Sequence, residues 1–91
     1  MSDRTSPSLA ILDTWLPQLR ALPPTAERDH IVGEAEALRR AVDSFHMEAI
    51  RFRMYSVDRL LKQMGADDAM QRVFEDLRVA LEAAGFHTRS H

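Results

Sequence analysis

The chain contains no cysteine, which excludes disulfides, thiolate nucleophiles and cysteine-based zinc or iron–sulfur sites. Stability has to come from packing or from association with another chain. Glycine occurs only three times, so there is no Gly-rich phosphate loop, and no nucleophile elbow is present either. Lysine is nearly absent: Lys62 stands alone beside eleven arginines, which reads as a GC-rich, bacterial coding bias and not as chemistry. No stretch approaches the roughly 20 apolar residues of a membrane span. Met1 to Pro7 lacks the basic start and apolar run of a signal peptide, so a cytoplasmic location with no membrane partner is expected. Neither charge is in excess. A net charge of −2 supplies no general field to attract nucleic acid, which is therefore not the expected partner.

What is present is helical patterning. Ninety-one residues, 45% hydrophobic and 29% charged, are too apolar for a disordered chain and enough for one small domain spanning 1–91. Ser6-Pro7 places a hydroxyl before a proline suited to a first helical turn, and Leu9, Leu12, Trp15, Leu16 and Leu19 recur at helical spacing. A first helix over about 7–22 follows. Pro17 lies inside it and removes the amide that would bond the Asp13 carbonyl, predicting a kink or a broken turn. Pro23-Pro24 ends the segment and Thr25 can cap the next.

From Ala26 to Met64 there is no proline and a single glycine, Gly33. Two seams run along this stretch. Ile31, Ala35, Leu38, Val42, Phe45, Ala49 and Phe52 follow the three-four alternation of paired helices, and Met47, Ile50, Met54, Val57, Leu61 and Met64 follow a second, rotated one. One reading is a single helix of about 26–64, a rod of roughly 58 Å at 1.5 Å per residue; the other breaks it near Asp43 to His46. The continuous helix is favoured, because no turn residue beyond Ser44 is present. Gly65 suits a left-handed stop, Asp67 and Asp68 suit a new start, and a third helix over about 67–84 buries Met70, Val73, Phe74, Leu77, Leu81 and Ala84. Gly85-Phe86 suggests a Schellman stop with Phe86 folding back, and the tail, 86–91, is expected to be mobile beyond that contact. The predicted fold is all-α: a bundle of three helices with one long central helix, completed by dimerisation. Phe45 and Trp15 are the expected core aromatics.

Two short helices cannot cover two seams on a long one. The second seam, Met47, Ile50, Met54, Val57, Leu61 and Met64, is therefore the candidate partner-binding face, for a second copy or another protein, since methionine adapts to varied surfaces; the alternative is that its methionines simply fill an irregular core. Catalytic and cofactor chemistry finds little support. His30/Glu34 and Asp43/His46 have helical metal-pair spacing, and His87/His91 could act in the tail, but a di-iron bundle needs two Glu-x-x-His units on separate helices and the chain does not supply them. Glu36/Arg40, Arg39/Asp43 and Asp58/Lys62 are i, i+4 pairs of the surface type. No catalytic, metal or cofactor residue is assigned. The segment Arg51 to Lys62, with Arg51, Arg53, Arg59 and Lys62 around Tyr55, is the one locally basic stretch and the basis of an alternative, DNA-associated reading. A small accessory subunit of an enzyme complex is a further alternative.

Leu22-Pro23-Pro24-Thr25, followed by a helix carrying Arg39, Arg40 and Val42, resembles the TraM family of quorum-sensing antiactivators, and Met54, Leu60 and Gly65 are similar to that family's second helix and its end. The resemblance implies a dimeric, mostly helical regulator that binds a LuxR-type transcription factor and keeps it off DNA, without catalysis. The chain departs from the family in lacking the loop between its two long helices and in carrying a helix after Gly65. No partner-binding residue is carried over.

Overall fold

A computed structural model describes residues 3–86. A 3-10 turn, Asp3–Thr5, leads into four helices: α1 Ser6–Arg20, α2 Ala26–Asp43, α3 Met47–Met64 and α4 Asp68–Ala83. No strand occurs among the described residues. The radius of gyration is 12.4 Å, close to the ~12 Å expected of one compact domain of this length.

The expected long helix is two helices, and four replace the predicted three. The break is a Schellman stop built on residues that do not announce one. The Phe45 amide donates to the Val42 carbonyl at 2.9 Å and the His46 amide to the Ala41 carbonyl at 3.0 Å, while Phe45 takes the left-handed φ of 48° usually left to glycine. Ser44 Oγ bonds the Arg40 and Ala41 carbonyls at 3.2 and 3.3 Å. His46 then caps α3, its Nδ1 accepting the Ala49 amide. Holding Phe45 in this conformation costs about 1–3 kcal/mol. Folding α3 back buries Ile50, Met54, Val57 and Leu61, each contributing about 1.5–3 kcal/mol. The break wins because a rod would leave that seam in water.

The other punctuation follows sequence more closely. Thr25 and Asp67 cap α2 and α4 through side-chain oxygens that accept the Arg28 and Met70 amides. Gly65 at φ 66° and Gly85 at φ 106° supply the left-handed stops. Phe86, placed by the Gly85 stop, is 1% exposed, so the expected tail begins one residue later; His87 to His91 lie outside the described residues. α1 begins after Thr5, which makes no side-chain cap bond, and it runs through Pro17 without a break. That proline sits in the last turn, where only one internal bond is forfeited.

The first three helices fold back on one another in turn. α1 packs on α2, α2 on α3, and α4 returns to α1, whereas the backbones of α3 and α4 approach each other at few points. Leu12, Trp15, Leu16 and Leu19 of α1 meet Ile31, Ala35, Leu38 and Val42 of α2, with Leu77 and Leu81 of α4 closing the core. Trp15 is fully buried, as expected, but Phe45 is only half-buried. Ion pairs bind α2 to its neighbours. Arg39 joins Asp13 at 2.6 Å, Arg20 joins Glu36 at 2.9 Å and Arg53 joins Glu34 at 3.0 Å. Of the three local pairs expected on the surface, Asp58/Lys62 forms at 3.0 Å; Glu36 and Arg39 bond across helices instead.

Candidate protein-binding surface

The turn at Phe45 resets the helical phase, and this decides which side of α3 meets water. Ile50, Val57 and Leu61 are 2% exposed or less, and Met54 is 6% exposed. Met47 and Met64 are half-buried against the same core. The stripe assigned to partner binding thus has four of its six positions buried in the chain, with Met47 and Met64 partly so. Its uncovered character was a property of the long rod; once α3 folds back, the strip is covered without a second copy. Met54 and Leu61 contribute to the floor of the groove described next, and Met64 lines a shallower opening beside Gly65.

Phe52, the last member of the first seam, emerges instead at 58% exposed, one turn from Tyr55 at 65%. These two aromatics stand on the lip of an open groove of about 850 Å³ between α3 and α4. The floor is formed by Met54, Leu61 and Phe86, and the opposite lip by Phe74, Glu75 and Arg78 of α4. α3 and α4, joined by the turn at Gly65, approach each other at few points, and Phe86 lines the space between them. The Arg51 guanidinium lies 5.9 Å from the Phe86 ring centre and covers it.

The groove's charges cancel. Glu48, Asp58 and Glu75 stand against Arg51, Lys62 and Arg78. Arg78 is clamped on α4: its Nε donates to Glu75 Oε1 at 3.1 Å, a second nitrogen bonds Glu75 Oε2, and a third bonds Glu82 at 2.6 Å. Hydrogen bonding from Arg78 holds the Glu75 carboxyl below its ordinary value and raises the guanidinium. A pair of this kind keeps both charges fixed and offers no proton near neutral pH.

The basic stretch is likewise spoken for in large part. Arg53 donates to both Glu34 oxygens at 3.0 Å, Lys62 bonds Asp58, and Arg51 lies on Phe86. Arg59 remains exposed. Of the metal-spaced pairs, His30, Asp43 and His46 are exposed, with Glu34 committed to Arg53 and His46 to its cap. No group of three or more His, Asp or Glu converges as a metal site among the described residues. His87/His91 lie outside them. No helix among the described residues is long and apolar enough to cross a membrane. Of the two lip aromatics, the sequence placed Phe52 at the end of a seam expected to be buried and Tyr55 within the basic stretch.

Comparison of the chain with family models, curated proteins and solved structures finds no match in any of the three.

Proposed function

We propose that the chain is a non-catalytic helical regulator or adaptor that works by protein–protein binding, and that the outer face of α3 with the adjoining groove is its binding surface. The observation that carries this reading is the pair Phe52 and Tyr55, 58% and 65% exposed, on the lip of an apolar-floored groove. Large aromatics are enriched at the centres of interfaces, where they supply contact area at low entropic cost. Balanced charge around the groove favours a protein helix over a polyanion, since phosphate binding needs unpaired cations. Among the described residues the carboxyls with shifted values, Asp13 and Glu75, are both lowered by arginine, the opposite of the raised acid that general acid–base chemistry uses. That supports binding over catalysis.

The partner class follows from the earlier resemblance: a transcription factor held off DNA, in a regulatory, bacterial, cytoplasmic setting, with the chain itself acting as a homodimer. A photo-crosslinking amino acid in place of Tyr55, with Arg40 on the exposed side of α2 as reference, tests the surface in the source cell. The reading expects a discrete protein adduct from position 55 and none from position 40. Equal labelling from both positions, or none from 55, would count against it.

A further inference from the structure

Glu48, Phe52, Tyr55 and Arg59 are all exposed on α3, and they follow one another at the four-three-four spacing of a helix-pairing seam. Read along the helix the seam runs acid, aromatic, aromatic, base. Reversed, it is its own complement. We propose that this seam pairs with the same seam of a second copy, antiparallel, about a two-fold axis between Phe52 and Tyr55. The proposal rests on the reading that the outer face of α3 is a binding surface, and it names the first occupant of that surface.

In this register Glu48 faces Arg59 of the second copy and Phe52 faces Tyr55, and symmetry repeats both contacts. Among the described residues neither Glu48 nor Arg59 forms an ion pair within the chain, so both charges are available. Their neighbours do not clash: Arg51 falls opposite Ser56, which is buried within its own chain, and Asp58 opposite Ala49. Parallel pairing would set Glu48 on Glu48 and Arg59 on Arg59, so charge selects the antiparallel arrangement. An 18-residue helix is about 27 Å long. Two aromatics per copy over that length make a small interface, at the low end of specific contacts, and the dimer is accordingly weak, with a dissociation constant on the order of 10 µM.

Sedimentation equilibrium of the full chain to about 200 µM, well above that constant, tests this with charge reversals. The parent chain dimerises reversibly. Glu48→Arg and Arg59→Glu each place like charges together twice per dimer and raise the dissociation constant at least about tenfold. The double variant Glu48→Arg/Arg59→Glu restores opposite charges and returns to within about threefold of the parent, and an equimolar mixture of the two single variants forms the heterodimer. All the positions are exposed, so circular dichroism of each variant should match the parent. A parent chain monomeric throughout, a dimer indifferent to both single reversals, or a double variant no tighter than the singles each overturns the proposal. A monomeric parent leaves a crosslink from Tyr55 to a different protein free to appear, in which case the surface stands and its occupant is foreign; absence of both removes the surface as well.

Discussion

Phe45 is the one described residue other than glycine with positive φ, at 48°, and it carries the largest departure from what the sequence suggests. Left-handed backbone is tolerated by glycine and strained for a side chain with a Cβ. Helix interiors rank alanine above glycine by about 1 kcal/mol; a left-handed stop reverses that order. Phe45→Gly should therefore be more stable than Phe45→Ala by about 1 kcal/mol in urea denaturation. If Phe45→Ala proves the more stable, the run from Ala26 to Met64 is continuous after all. The half-buried ring, stacked under the Arg4 guanidinium at 4.9 Å, should cost only about 1–2 kcal/mol when truncated, against about 3–5 for the fully buried Trp15→Ala. Equal losses from the two truncations would place the Phe45 ring in the core. No Gly or Asn marks a helix stop here, which is why the break near Asp43 to His46 stood only as the second reading while Gly65 and Gly85 were read directly as stops.

Between elements, the helices were legible wherever caps and spacing agreed. Thr25, Asp67 and Gly85-Phe86 act as read, and α4 with its cap buries Leu77, Leu81 and Ala84 of the expected face, while Met70, Val73 and Phe74 are only half-buried. The cross-helix partners were not legible, because i, i+4 spacing offers Glu36 and Arg39 local partners that tertiary packing replaces. Arg39 hydrogen-bonds Asp13 and holds that carboxyl below its ordinary value. A folded value below the unfolded one contributes stability above the unfolded carboxylate range, near pH ~3.9, and loses it as pH falls through the lower folded value. Asp13→Asn should consequently lose less of its urea midpoint than the parent between about pH 5 and pH 2.5, by a small margin because the pair is exposed. An acid loss equal to the parent's would mean that the pair does not fasten α1 to α2. Glu34, whose side chain is 17% exposed, depends on Arg53 more heavily. Arg53→Ala leaves a half-buried carboxylate unpaired and should cost about 1–2 kcal/mol, between surface and buried ion pairs; a loss near zero would show that α2 and α3 hold together without it.

At the scale of the whole molecule, the four helices close their core on three sides and leave α3 and α4 apart over a groove. Both seams were visible in the sequence, yet their sides were assigned as if one rod carried them. A turn of three residues rotates everything after it, so the seam expected outside went in and Phe52 came out. On the proposed function, Phe52 and Tyr55 serve binding and not folding. The most direct measurement replaces both with serine and reads stability and binding on the same variant, by thermal unfolding of the dilute chain and by the yield of protein adduct from a photo-crosslinker on the opposite lip at Glu75. Phe52→Ser/Tyr55→Ser should unfold within a few degrees of the parent, as exposed substitutions do, while the adduct is lost. Unfolding far below the parent, or an adduct undiminished, would contradict the account.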